Sequence, residues 1–259
     1  MILSLDPGFE LTTLLILAAV AFLAGFIDAI AGGGGLLTLP ALLTVGLPPH
    51  LALGTNKLCA TFGSATAAFT FYKRKLFSPV HWRNALIGTA VGALLGALIA
   101  HWLPSQWLNQ LLPLVVFACG LYLLFSKTPN STPDANAPIG QKRQWPQSVS
   151  LGFYDGVAGP GTGAFWTVSS LLLYPLDLVR ASGVARSMNF VSNACALSVF
   201  IFTGQVAWLL GLGMGLTLML GAYLGARTAI GGGAKFIRPV FIMVVLALTL
   251  RLVWQHWLG

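Results

Sequence analysis

The chain has 259 residues, of which 56% are apolar and only 8% charged, with a formal net charge of +8. Six acidic and fourteen basic side chains cannot coat a 27.4 kDa globule, because an average soluble domain carries about 25% charged residues. A solvated enzyme is thereby excluded, as is disorder, which requires low hydrophobicity and high charge. A lipid bilayer is the solvent that fits a mean hydropathy of +0.82.

In chain order, Asp6 and Glu10 precede the apolar segment 11–31 with no basic stretch, so no cleavable signal peptide is expected. Further apolar segments fall at 36–47, 51–72, 80–101 and 106–125. The stretch 126–147, rich in Pro, Asn, Ser and Gln, reads as an exposed linker. Apolar segments resume at 148–158, 163–175, 179–203, 206–227 and 237–257. A span needs about 20 apolar residues, which 51–72, 80–101, 106–125, 179–203, 206–227 and 237–257 supply, whereas 36–47, 148–158 and 163–175 are too short for a straight crossing.

The two halves repeat. Gly25-Phe26-Ile27-Asp28-Ala29-Ile30-Ala31-Gly32-Gly33-Gly34-Gly35 aligns with Gly152-Phe153-Tyr154-Asp155-Gly156-Val157-Ala158-Gly159-Pro160-Gly161-Thr162, and Ala52 to Lys57 aligns with Ala181 to Arg186. Internal repeats of this kind are a transporter signature. The basic residues cluster between apolar segments, as Lys73, Arg74, Lys75 and Arg83, then Lys127, Lys142 and Arg143, then Arg227, Lys235 and Arg238. Cytoplasmic loops are charged in this way; a nucleic-acid surface would interleave aromatic and basic residues, so no nucleic-acid partner is expected. Placing the basic loops inside puts the Lys73–Lys75 loop inside and its repeat partner, the uncharged turn Gly204-Gln205, outside. The predicted fold is therefore an all-α polytopic membrane protein with two inverted-topology repeats, 1–125 and 148–259, joined by a cytoplasmic linker at 126–147. Each repeat holds a Gly-rich re-entrant or broken-helix hairpin and three transmembrane helices, and both termini face outward.

Few residues carry chemistry. Asp28 and Asp155 are the intramembrane acids, in register before the two Gly-rich tips. They read either as proton-coupling groups, with burial favouring the protonated form, or as structural acceptors for the free N–H groups of a broken helix. Lys57 and Arg186 are repeat equivalents inside long helices, with Asn56 and Ser64 near the first and Asn189 and Asn193 on the same helical face as the second. They form a functional site, or serve as helix–helix glue, or snorkel to the interface. With the tip glycines Gly33, Gly34, Gly161 and Gly163, two cations and two helix N-termini make an anion site. Gly32–Gly35 lacks the following Lys and the βαβ setting of a nucleotide loop. His50, His81, His101 and His256 lie at segment ends, and Trp82, Trp102, Trp107 and Trp257 fit an aromatic belt. Cys59, Cys119 and Cys195 read as small buried hydrophobes. No metal, cofactor or catalytic constellation is expected.

The first motif with Gly54-Thr55-Asn56-Lys57, and the second with Arg186-Ser187-Met188-Asn189-Phe190-Val191-Ser192-Asn193, resemble the TauE/SafE (sulfite exporter, DUF81) family over nearly the whole chain outside the linker. The resemblance implies a bacterial inner-membrane transporter of small sulfur-containing anions such as sulfite or sulfonates. Two departures stand out: Pro160 interrupts the second glycine run, and Arg186 stands where the family leads one to expect Lys. The expected function is a secondary transporter, working as an exporter by alternating access around a midplane anion site. The alternatives are an anion channel or a non-transporting subunit of a larger complex. The expected partners are a small anionic substrate and the lipid bilayer, with a homodimer left open.

Overall fold

The computed structural model describes residues 10–104, 106–107 and 141–257. Among them are eight helices and no strand. The first hairpin is α1 (Leu11–Ala31) and α2 (Gly35–Thr44), followed by α3 (Pro49–Lys73) and α4 (Arg83–Trp102). The second hairpin is α5 (Gln141–Val157) and α6 (Thr162–Leu173), followed by α7 (Leu178–Phe202) and α8 (Trp208–Trp257). Helix α8 is broken at Gly233, whose φ of 59° and ψ of −156° are not helical.

Four stretches are both long and apolar enough to cross a bilayer: α1, α4, α7 and Trp208–Gly233 of α8. Helix α3 matches α7 in length at 25 residues, but Thr55, Asn56, Lys57 and Ser64, all buried, dilute its apolar character. The expected span 106–125 falls outside the described residues apart from 106–107. Burial is inverted relative to a soluble bundle. Leu94, Leu95, Leu98 and Ile99 of α4 face outward, while Gly88, Thr89, Gly92, Ala93, Gly96 and Ala97 face the interior. Lipid provides no hydrophobic drive between helices, so small residues that permit close backbone approach make the contacts.

Those contacts repeat under exchange of the two halves. In α4, Gly92 lies against the backbone of Val149 and Phe153 in α5, and in α8, Gly221 lies against the backbone of Phe22 and Phe26 in α1. Gly96 against Phe153 and Gly225 against Phe26 continue the two crossings, so α4 runs parallel to α5 and α8 runs parallel to α1. Helices α3 and α7 cross head to tail: Gly54 meets Phe200 and Gln205, and Gly183 meets Phe71 and Leu76. The helix ends match as well. Leu76 N–H donates to Phe71 O at 3.1 Å around Lys75 (φ 58°), and Gln205 N–H donates to Phe200 O at 2.8 Å around Gly204 (φ 71°). Both are left-handed C-terminal turns that satisfy otherwise orphaned carbonyls.

Helix α5 begins at Gln141, inside the stretch expected to be linker. Lys142 and Arg143 are exposed, but Gln144, Gln147 and Ser148 are buried rather than solvated. Gln144 accepts from Ala85 N–H at 3.2 Å and donates to His81 O at 3.1 Å, and Gln147 donates to Ser169 Oγ at 2.7 Å. Trp82, expected in the aromatic belt, is instead buried and packs edge-on against Tyr174 at 4.9 Å between centroids, whereas Trp102 and Trp107 are exposed. The side chains of Trp257 and His256, and Cys119 as a whole, lie outside the described residues.

Candidate functional site

Both hairpins turn on glycines that no other residue replaces without strain. Gly32, at φ 85°, ends α1 and donates its N–H to Asp28 O at 2.9 Å. Gly159 and Gly161, at φ 91° and 80°, carry the second turn. The two tips touch: a Cβ on Gly163 would lie 2.9 Å from Gly32 Cα, and one on Gly35 would lie 3.5 Å from Pro160 Cα. Absence of side chains here lets backbone meet backbone.

Among the described residues, three buried charges, Lys57, Asp155 and Arg186, and the partly buried Asp28 pair across the two halves. Lys57 in α3, 0% exposed, donates to Asp155 Oδ1 at 2.7 Å and to Asp155 O. Arg186 in α7, also 0% exposed, donates from Nη1 to Asp28 O, with Asp28 Oδ2 3.7 Å away. Neither cation snorkels. Burying a charge is tolerated only when it is paired and hydrogen-bonded, and each pairing here ties one hairpin to the long helix of the other half.

The two acids are not used alike. Asp28 Oδ1 accepts the N–H of Gly34 at 3.0 Å, capping the start of α2. The oxygens of Asp155 are taken by Lys57 and by Ser192 Oγ. Around the tips lies a cavity of about 20 Å³ lined by Asp28, Asn56, Asp155, Gly163, Asn189 and Asn193 among others, with room for a water or two. Gly34 and Gly161 line it too, while Gly33 is buried beside it. Asn56 Oδ1 accepts from Thr38 Oγ1 at 2.5 Å, and Asn193 donates to Asn189 O at 2.7 Å. Asn189 Oδ1 and the Nε and Nη2 of Arg186 are buried with no hydrogen-bond partner.

The residues singled out in the sequence therefore converge on one place, except that Ser64 bonds only within its own helix, to Ala60 O at 2.6 Å. Thr38, Ser192 and Thr162 also belong to this place and were missed. A hydroxyl in an apolar helix ordinarily bonds the carbonyl one turn back, so its type and spacing carry no signal. The histidines stay peripheral: His50 bonds Leu103 O at 3.0 Å, and His101 bonds Gln205 at 3.1 Å.

Glycine-broken helices that meet over buried, paired cations are features met in membrane transporters. Comparison with known proteins agrees. Residues 17–252 match the family model described as "Sulfite exporter TauE/SafE", and the chain belongs to that family of membrane transporters. It is 41% identical over 249 residues to the "Probable membrane transporter protein ORF9" of a Sinorhizobium species, covering 95% of this chain and 94% of that one. It is 37% identical over 257 residues to the "Probable membrane transporter protein YfcA" of Escherichia coli strain K12, covering 94% and 93%. A "Probable membrane transporter protein" of Haemophilus influenzae is 38% identical over 256 residues, covering 98% and 99%.

Proposed function

We propose that the chain is a secondary transporter that exports small sulfur-containing anions, such as sulfite or sulfonates, across the bacterial inner membrane. The observation that carries this reading is the pair of cations, Lys57 and Arg186, buried where two helix breaks meet and each bound to the acid of the other half. A cation at bilayer depth is costly and marks a substrate or ion path. The residues that the sequence offers as candidates for an anion site, Lys57, Asn56, Arg186, Asn189, Asn193, Gly33, Gly34, Gly161 and Gly163, gather around that junction, and which of them touch the anion is a separate question from the path they mark.

Alternating access follows from two inverted repeats, 1–125 and 148–259, rocking about the junction. The exchange-related glycine contacts and the head-to-tail crossing of α3 and α7 support that arrangement. The present cavity is too small for an anion of four or more heavy atoms, so the tips must part for substrate to enter. Export of a monoanion gains about 2.3 kcal/mol per 100 mV from an inside-negative potential, so no nucleotide or coupled ion is required. Reconstitution into vesicles and uptake of labelled sulfite, thiosulfate, sulfonates and carboxylates tests the proposal. Saturable flux with counterflow is expected. Flux that neither saturates nor shows counterflow would indicate a channel, and absence of flux from the purified chain would indicate a subunit of a larger complex.

A further inference from the structure

The sequence repeat makes Lys57 and Arg186 equivalent, but their surroundings are not. Lys57 is satisfied: its ammonium holds Asp155 Oδ1 and the Asp155 carbonyl, and the second carboxylate oxygen is held by Ser192. Arg186 is not. Only Nη1 has an acceptor, and Nε and Nη2 are buried without one. Those two nitrogens form the edge of the guanidinium that binds two oxygens at once. Charged donors left unpaired in an interior are costly, so an acceptor that arrives there gains more than one arriving at Lys57.

The hairpin tips differ in the same sense. At the first tip, the Asp28 carboxylate occupies Gly34 N–H at the start of α2. At the start of α6 no described side chain makes the corresponding bond, and Asp155 is held instead by Lys57 and Ser192. The guanidinium of Arg186 lies against that start, with the Asp28-bound Nη1 nearest: a Cβ on Gly163 would be 2.6 Å from Nη1 and 3.2 Å from Cζ. One turn along α7, Asn189 lines the tip cavity, and its Oδ1 is buried and unpartnered. Its oxygen and nitrogen exchange places on a half-turn of the amide, which presents a donor instead.

We propose that the anion seat is asymmetric. A small oxyanion offering two oxygens, whether sulfite, sulfonate or carboxylate, docks on the Nε–Nη2 edge of Arg186, the first turn of α6 and the turned amide of Asn189. Lys57–Asp155 is a clamp between the halves and not a ligand. The inference rests on the anion-transport reading and narrows its site. It carries a specificity consequence: a halide offers one atom to a two-donor edge and is held weakly.

Calorimetric titration of the purified full-length protein with sulfite, with and without excess chloride, tests the proposal. Arg186→Lys keeps the charge but loses the fork, and is expected to weaken sulfite at least about tenfold. The double variant Lys57→Met with Asp155→Leu removes the clamp without stranding a charge, and is expected to bind sulfite within about threefold of wild type, whatever it does to turnover. Chloride is expected not to compete. Thermal melting checks that each variant folds; if the double variant does not, the Arg186→Lys titration decides alone. Equal sulfite affinity in Arg186→Lys, or loss of binding in a folded double variant, overturns the asymmetric seat while leaving anion transport standing. A wild type that binds neither sulfite, ethanesulfonate nor acetate overturns both.

Discussion

Asp155 and Lys57 make each other's burial tolerable, since among the described residues neither has another ion-pair partner. Asp155→Asn leaves an ammonium stranded, and breaking a buried pair from one side costs about 3–5 kcal/mol. We expect a large fall in melting temperature in detergent, with much of it restored on adding Lys57→Met; a fall that the second change does not relieve would place the cost elsewhere. Asp28 is expected to behave differently. Its Oδ1 caps Gly34 N–H, a role that Asn retains and Ala loses at about 1 kcal/mol. Asp28→Asn also removes a negative charge 3.7 Å from Arg186 Nη1. It should therefore lower the melting temperature, since Arg186 loses its carboxylate partner, but bind sulfite more tightly and keep the pH profile of transport. A flattened profile would instead assign Asp28 to proton coupling. The register of these four charges was legible in the sequence because the repeat aligns them. Their partners were not, because each bond crosses between halves and the alignment compares the halves without docking them.

The hairpins and long helices were legible to within a few residues wherever glycine or proline punctuates an apolar run. The start of α5 was not. Gln144 and Gln147 look like solvated linker, yet they satisfy backbone and hydroxyl groups of α4 and α6 in the interior. Composition alone does not separate a buried amide from an exposed one. The pairing of the helix ends at Lys75 and Gly204 was legible from the repeat, but their shared left-handed turn was not, since one uses glycine and the other does not. Crossings between helices are where glycine has the clearest consequence. Gly92 sits where a Cβ would run into the Val149 carbonyl, and nothing lies within 4 Å of the corresponding position on Gly213. Gly92→Val should cost about 1–3 kcal/mol or more through overpacking and separate α4 from α5. Gly213→Ala should stabilise by about 0.5–1 kcal/mol through helix propensity alone. Melting curves of the two variants check the contrast, and equal shifts would mean that close backbone approach does not govern these crossings.

Across the whole molecule, helix direction sorts the charges. Helices α3 and α8 run side by side in one direction, since Thr55 and Leu58 meet Gly211, and Gly63 meets Leu218 and Ala222. Their ends bring Lys73, Arg74 and Arg227 together around a cavity of about 980 Å³ that also involves Thr66, Thr70 and Tyr223. The head-to-tail crossing puts the start of α7, with Arg180, at that same end, and the short connection from α3 puts Arg83 there too. Helix α5 runs with α4, so Arg143 joins them. The opposite end carries His101 hydrogen-bonded to Gln205, and His50, with no Lys or Arg in the described turns Val45–Pro48 and Thr203–Ala207. Such an asymmetry orients a membrane protein with its basic end in the cytoplasm. Helix α5 starts on that side at Gln141, so a reporter inserted at residue 135, just before it, should read cytoplasm. Beyond Gly233 the chain continues as a further helical length to Trp257, which should return the C-terminus to the periplasm. A Ser78→Cys variant should be labelled by a membrane-impermeant thiol reagent only from the cytoplasmic face, and a Gly46→Cys variant only from the periplasmic face, in a background without the native cysteines. If the C-terminal reporter reads cytoplasm while Ser78→Cys is labelled from inside, the last helical length does not cross. The halves would then differ in span number, and rocking of two inverted repeats would lose its basis.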